Sequence, residues 1–455
     1  MGEVRVSNSA YYGAETQRAV QNFPISGLHL PREFVRAMAL IKLAAARANM
    51  QLGLLDPKKG ESIVSAAKEI MEGNLYDQFV VDVFQTGSGT SSNMNMNEVI
   101  ANRAIELLGG KKGDKSIIHP NDHVNMCQST NDVFPSAIHV SAAEAIARKL
   151  IPGLRVLLDA LDRKAQEFED VVKAGRTHLQ DAVPMTLGQE FSGYASMIKH
   201  GIKRAEQARD ILMELPLGGT AVGTGLNAHP KYSELAIGEI NRLTGLSFRK
   251  ADNTFEGMQS KDASVEASGL LTVIATSLMK LSNDLRLLNS GPRTALGEID
   301  LPAMEPGSSI MPGKVNPVIP EALGLVAAQV YGNNTAIGMC GSLGQLELNV
   351  MMPVIAYDLL QSIEILANGS RILGEKCVAG ITADKKRLLD YAERTLMMVT
   401  RLTPKIGYDN AAKIAKKAMA ENKSLRQVVL EEGILTKDKI DEVLDLKKMT
   451  KGGRA

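Results

Sequence analysis

Leu271-Thr272-Val273-Ile274-Ala275-Thr276-Ser277-Leu278-Met279-Lys280-Leu281-Ser282-Asn283-Asp284-Leu285-Arg286-Leu287-Leu288 is the stretch on which the fold turns. Within it Leu271, Ile274, Leu278, Leu281, Leu285 and Leu288 recur at steps alternating between three and four residues, the spacing that lines one side of a helix with a continuous apolar stripe. A helix striped in this way must bury that side along its whole length. Upstream, Leu150, Leu154, Leu157, Leu161, Ala165 and Phe168 repeat the pattern, and Pro152-Gly153 near the start predicts a kink or a restart there. Antiparallel bundling is the simplest way to cover several such stripes at once. Strand-like alternation is rare, Trp is absent, aromatic residues make up 4% and Met reaches 21. The chain therefore reads as mainly α, with long helices packed through aliphatic side chains and Met as an adaptable filler.

A length of 455 residues exceeds what one small core can use, so two or three domains are expected. Turn-rich punctuation at Pro120-Asn121-Asp122 and at Gly380 to Asp384 suggests a three-part division: an N-terminal helical region over 1–128, a central long-helix bundle over 129–380, and a small C-terminal helical region over 381–455. The 52 basic and 51 acidic residues leave a formal charge of +1, which supplies no broad field for nucleic acid or an anionic membrane. The sparse basic tail Lys447, Lys448, Lys451 and Arg454 reads as a solvated end. An anionic ligand must therefore be met by a local site. Cys127, Cys340 and Cys377 are scattered and lack C-x-x-C spacing, which speaks against a disulfide framework or a thiolate metal site. No uninterrupted apolar run reaches the roughly 20 residues needed to cross a bilayer, and the opening residues lack an apolar signal core. The expectation is a cytoplasmic protein with no membrane or nucleic-acid partner.

Chemistry concentrates in four polar segments. Gly307-Ser308-Ser309-Ile310-Met311-Pro312-Gly313-Lys314-Val315-Asn316-Pro317 predicts a shaped, non-helical loop bearing two hydroxyls, an ammonium and an amide. That inventory suits a carboxylate ligand beside a proton-transfer site. Thr86 to Asn95 and Gln128-Ser129-Thr130-Asn131-Asp132 are hydroxyl-rich runs leading into helices, with Pro135 expected in a first turn. Helix starts of this composition hold anions through backbone donors and the positive end of the dipole. Gly175-Arg176-Thr177-His178-Leu179-Gln180-Asp181 contributes a histidine. Two other signals are set aside. Gly218 to Gly225 has the look of a phosphate loop, but no strand precedes it and no Gly-Lys-Ser/Thr follows. His119 and His123 flank Asp122 at metal-ligand spacing, but Pro120-Asn121 argues against the helix that would align them, so no metal and no cofactor is expected.

Together these segments closely resemble the signature regions of the aspartase/fumarase superfamily, and the similarity runs from Tyr12-Gly13-Ala14-Glu15-Thr16-Gln17-Arg18 to Gly407-Tyr408-Asp409. The resemblance implies a three-domain fold whose five long helices per subunit form a twenty-helix core in a homotetramer, with each active site shared by three subunits. It also implies that Ser308 is the catalytic base on a mobile loop, supported by Lys314. His178 would be paired with Glu321 of another subunit. Substrate would be bound by Ser88, Thr90, Ser129, Thr130, Asn131, Thr177, Ser309, Lys314 and Asn316, the ligand being a small dicarboxylate.

Within the superfamily, Ile118-His119-Pro120-Asn121-Asp122, Asn253-Thr254-Phe255-Glu256 and Gly218-Gly219-Thr220 are similar to the class II fumarase branch. In that branch His119, Asn121 and Asp122 would form a second, non-catalytic dicarboxylate site. Ser116 beside Lys115 stands where many of its members carry Arg, which puts that site in question. Cys127 to Asp132 and Gly344 to Val350 lean instead towards aspartate ammonia-lyases. The implied activity is reversible hydration of fumarate to L-malate. The alternatives are release of ammonia from L-aspartate and a catalytically silent structural homologue, the latter opposed by the presence of Ser308, Lys314, His178 and Glu321 together.

Overall fold

The computed structural model describes residues 2–453, so Arg454 of the basic tail lies outside the described residues. The chain is mainly helical and forms two compact units. The first comprises residues 1–153, 202–276 and 326–368; the second comprises 154–201, 277–325 and 369–455. Four long helices, Leu187–Ile211, Asp262–Leu288, Val318–Gly341 and Met352–Ile372, have residues in both. The stripe from Leu271 to Leu288 is buried at all six positions, as its spacing requires. By length and composition Asp262–Leu288 could cross a bilayer, but this stripe is packed within the protein.

In the first unit, helix Arg32–Gln51 packs against Pro57–Met71, Thr130–Ala145 and Tyr232–Thr244, and Phe34 meets Phe134 at a ring separation of 4.7 Å. Helix Ala14–Asn22 is anchored by one carboxylate: Glu98 accepts from the backbone N–H groups of Gly13, Glu15 and Thr16, and from Thr16 Oγ1 at 2.6 Å. Several donors that a helix start would otherwise leave unpaired are thus satisfied together. Long helices in this unit are cross-linked by polar contacts, among them Ser268 Oγ to Asn334 Oδ1 (2.9 Å) and Asn333 Nδ2 to Ser362 Oγ (3.0 Å). Pro135 lies inside helix Thr130–Ala145, one turn beyond the expected position. Pro120 begins a single wide helical turn, Pro120–Val124, where the sequence suggested that Pro120-Asn121 would prevent one. Proline needs no N–H donor at a helix start, so it is accommodated there.

The second unit contains the buried stripe Leu154, Leu157, Leu161 and Phe168, continued by edge-on contacts of Phe168 with Phe191 and of Phe191 with Tyr194. A hairpin that periodicity did not reveal pairs Val172–Thr177 with Gln180–Thr186 in antiparallel register. Its base rests on a buried charge cluster: Lys173 Nζ lies 2.8 Å from Glu298 and 2.6 Å from Glu190, while Arg176 also binds the fully buried Glu298. Near the C-terminus a separate small core gathers Met398, Leu402, Ile414, Val428 and Leu444.

Two consequences are measurable. Removing one partner of a buried charge cluster strands the others, so Glu298→Gln is expected to lower stability by about 3–5 kcal/mol, seen as an earlier urea midpoint; an unchanged midpoint would contradict the cluster's role. His139 is buried with Nδ1 2.7 Å from the Glu214 carbonyl, and burial pulls its pKa from 6.5 down to about 4. The unfolded chain therefore takes up a proton that the folded chain refuses. Stability should fall as pH drops from 6.5 to 4, by about 1.4 kcal/mol per pH unit from this group. His139→Gln should flatten that part of the pH–stability curve, and an equally steep curve in the variant would count against this origin.

Candidate active site

The two hydroxyl-rich segments open two helices of the first unit. Thr90 is the first residue of Thr90–Leu107, preceded by Gly89 at φ +81°. A Cβ at position 89 would sit 2.1 Å from the Phe134 ring, so both backbone sign and space demand glycine there. Ser88 Oγ and Thr90 Oγ1 are 2.8 Å apart across this turn. Ser129 caps helix Thr130–Ala145: its Oγ accepts from Asn131 N–H (3.3 Å), and Asp132 Oδ1 accepts from Ser129 N–H (2.9 Å). Asn93 Nδ2 donates to Thr130 Oγ1 at 2.9 Å. Two segments nearly forty residues apart in sequence are thereby joined, with Ser88, Thr90, Ser129, Thr130 and Asn131 all in one unit.

Asp132 explains the glycine-rich stretch that resembled a phosphate loop. Its Oδ2 accepts from the N–H groups of Gly218 (2.8 Å) and Thr220 (3.1 Å), and Asn131 Nδ2 donates to the Ala221 carbonyl (2.8 Å). The stretch folds over the start of the Thr130 helix, its donors turned toward a carboxylate of the protein itself. Burial pushes the Asp132 pKa up to about 6 against the pull of these backbone donors.

The remaining residues expected at the catalytic site, Thr177, His178, Ser308, Ser309, Lys314, Asn316 and Glu321, belong to the second unit. Thr177 and His178 lie exposed at the tip of the hairpin, whose two-residue turn is His178-Leu179, with φ of +55° and +61°. Turns of this hand favour Asn-Gly, so a histidine and a leucine held there mark a strained tip maintained by the paired strands and the charge cluster below. A cavity of about 350 Å³ beside it is lined by Lys173, Arg176, His178, Glu190, Tyr194 and Lys280, among others.

The loop Gly307–Pro317 closes on itself. Gly307 N–H donates to the Lys314 carbonyl (2.9 Å), and Asn316 Nδ2 donates to the Gly307 carbonyl. A Cβ at position 307 would lie 2.3 Å from the Lys314 carbonyl oxygen. Inside this ring Ser308 Oγ accepts from the N–H groups of Ile310 (3.2 Å) and Met311 (2.9 Å), while Ile310 is 84% exposed. Such a pair of donors stabilises negative charge on the oxygen. Ser309 and Lys314 are exposed, and among the described residues Lys314 has no carboxylate partner. Glu321 is exposed in the first turn of helix Val318–Gly341, with no hydrogen bond to His178 within the chain among the described residues.

Around His119 the expected second site is ordered. His119 Nδ1 accepts from the N–H groups of Asn121 and Asp122, both at 3.2 Å, so that nitrogen carries no proton and its 3.4 Å approach to Asp122 is not an ion pair. His119 N–H donates to His123 Nδ1 (2.8 Å), and Lys59 Nζ lies 3.3 Å from His123 Nε2. Burial, then Lys59, holds the His123 pKa below its ordinary value. Ser116 turns instead to Asp114 (2.6 Å). Among the described residues no group of three or more His, Cys, Asp or Glu is arranged to hold a metal.

Sequence reading missed a buried polar cluster behind Thr130. Lys42, fully buried on helix Arg32–Gln51, reaches Asn125 Oδ1 (2.8 Å) and Gln128 Oε1 (3.0 Å). A lone lysine within the apolar run Ala37 to Ala46 was the available signal.

Comparison with known proteins agrees along the whole chain. A family described as Lyase matches residues 2–332, and one described as Fumarase C C-terminus matches residues 398–451. A class II fumarate hydratase of Bradyrhizobium diazoefficiens is 52% identical, covering 99% of this chain and 96% of its own length. A mitochondrial fumarate hydratase of Rhizopus oryzae is also 52% identical, covering 97% and 90%. The crystal structure of a class II fumarase from Schistosoma mansoni superimposes with a TM-score of 0.96 at 41% identity, covering 99% of this chain and 97% of that one. The chain thus belongs to the aspartase/fumarase superfamily, in its class II fumarase branch.

Proposed function

We propose that the protein catalyses the reversible hydration of fumarate to L-malate by anti addition and elimination, without a metal or other cofactor. The reading is carried by one observation, the Gly307–Pro317 loop, which places Ser308 Oγ under two backbone N–H groups in the same closed turn that carries Lys314. In the malate-to-fumarate direction Ser308, acting as an alkoxide favoured by the two loop N–H groups and by Lys314, takes a proton from the carbon beside one carboxylate and becomes a neutral hydroxyl. The electron pair left behind spreads into that carboxylate as an enediolate. It then returns to form the double bond as the hydroxyl on the neighbouring carbon departs, protonated, as water. Lys314 and Asn316 hold one carboxylate; Thr90, Ser129, Thr130 and Ser309 donate to the other, with Ser88 supporting Thr90. Asn131, Thr177 and His178 hold the leaving oxygen, and Glu321 of another subunit keeps His178 in one tautomer. A well-aimed donor to developing charge contributes about 3–4 kcal/mol, so several together offset the reluctance of a carbon acid to ionise.

The active form is a homotetramer in which three subunits complete each site. Its support is the exposed apolar surface of the long helices, including Leu325 at 74% and Met339 at 67%, which a bundle of further helices would cover. His119, Asn121 and Asp122 form the second dicarboxylate site. All three cysteines are unpaired and buried, which suits a reducing cytoplasm.

Ultraviolet absorbance should register fumarate formed from L-malate and none from L-aspartate; activity on aspartate alone would end the hydratase reading. Ser308→Ala should lower kcat by at least about 10²-fold while sedimentation still reports four chains. Undiminished turnover would remove Ser308 from the role of base, and a fully active single chain would remove the shared site.

A further inference from the structure

We propose that Lys42 is a positioning residue that, through Asn125 and Asn93, forces Thr130 to direct its hydroxyl proton at the substrate; the inference rests on Thr130 being a carboxylate donor in the hydratase reading. A lysine ammonium has three donors and no acceptor, so any group touching it must present an oxygen. Asn125 turns Oδ1 to Lys42 at 2.8 Å, and Gln128 turns Oε1 to it at 3.0 Å. Asn125 Oδ1 is thereby fixed as an acceptor, and its other neighbours, Asn93 Nδ2 and Asn97 Nδ2, each at 3.3 Å, must approach it as donors. With the amide of Asn93 oriented in this way, the second hydrogen of Nδ2 falls on Thr130 Oγ1 at 2.9 Å. Thr130 Oγ1 accepts from Asn93, and among the described residues no acceptor takes its O–H, which leaves that proton for a ligand.

The orientation is held against a penalty. Asn93 Oδ1 and Asn97 Oδ1 are both buried with no protein partner, a state that costs about 1–3 kcal/mol for each group. Rotating the Asn93 amide would set its oxygen against Asn125 Oδ1 and leave Thr130 with nothing to accept. Gln128 extends the control along the chain: its Nε2 donates to the carbonyls of Val124 and Met126, both at 3.1 Å, which shapes the turn immediately before Ser129. Lys42, Asn93, Asn97 and Thr130 are buried and Asn125 and Gln128 half-buried, all in the same unit, which limits the competition of solvent for these donors. Burial pulls the Lys42 pKa from 10.5 down to about 7, and the negative charge of Asp132 opposes that fall, favouring the charged ammonium beneath the start of the Thr130 helix.

A double-mutant cycle tests the relay on the intact enzyme, with kcat/KM for L-malate as the readout and circular dichroism and sedimentation as checks on fold and assembly. Lys42→Met should lower kcat/KM about tenfold or more, the size of one charge-assisted hydrogen bond. In a Thr130→Val background, where there is no proton left to direct, the same substitution should change it by less than about twofold. An equal loss in both backgrounds would mean that Lys42 acts only through general stability and would overturn the proposal. A Thr130→Val enzyme with wild-type kcat/KM would overturn it differently, by removing Thr130 from the substrate. Should Lys42→Met fail to fold, the isosteric Asn93→Asp, whose carboxylate accepts the Thr130 proton, enters the same cycle with the same expected and overturning outcomes.

Discussion

One buried carboxylate holds the hydroxyl-bearing face of the first unit in shape. Asp132 accepts backbone N–H groups from Ser129, Gly218 and Thr220, and so fixes the start of one helix and the course of a glycine-rich stretch more than eighty residues away. Hydrogen bonds to a charged group contribute about 1.5–3 kcal/mol each, which is what allows the charge to be buried at all. The competition remains visible in the acid itself, whose pKa is pushed up to about 6 by burial in spite of three donors and a nearby ammonium. Without this carboxylate those backbone donors would have to be satisfied elsewhere, and the positions of Ser129, Thr130 and Asn131 would be free to drift.

A net charge of +1 means that affinity for a dianion has to be created locally. In the proposed site this task falls to directed donors rather than to a dense basic patch. In the proposed site helix starts, side-chain hydroxyls and Lys314, which has no carboxylate partner among the described residues, would supply positive potential at short range, where it is little screened. The direction of each hydroxyl then matters as much as its presence, because a threonine that spends its proton on the protein has none for a ligand. In the proposed relay a largely buried polar cluster, by dictating donor direction, acts as part of the binding surface.

The second unit uses a different device. His178 is carried at the tip of a hairpin in a left-handed backbone conformation shared with Leu179, held by strand pairing and by a cluster in which Lys173 and Arg176 bind Glu298 and Lys173 also binds Glu190. The Gly307–Pro317 loop is held mainly by its own backbone, with Ile310 and Met311 pushed into solvent. Rigid support beneath one group and self-contained closure around the other suit a site in which one part is fixed and one part moves.

Periodicity alone determined the long helices, because a stripe that recurs every three to four residues has one way to leave water, and the six positions from Leu271 to Leu288 are buried accordingly. The hydroxyl-rich helix starts and the irregular Gly307–Pro317 loop were legible for the same local reason: capping and turn chemistry act over a few residues. Tertiary structure alone decided the rest. The Val172–Thr186 hairpin has four consecutive buried residues in its first strand and thus no alternation to read. The wide turn after His119 depends on side chains that close over it. Lys42 looks in sequence like a stray charge in an apolar helix, and Gly218 to Gly225 like a phosphate loop. Each takes its meaning from a partner more than eighty residues away, Asn125 in one case and Asp132 in the other, and contacts over such distances are set by packing, which no local pattern of residues encodes.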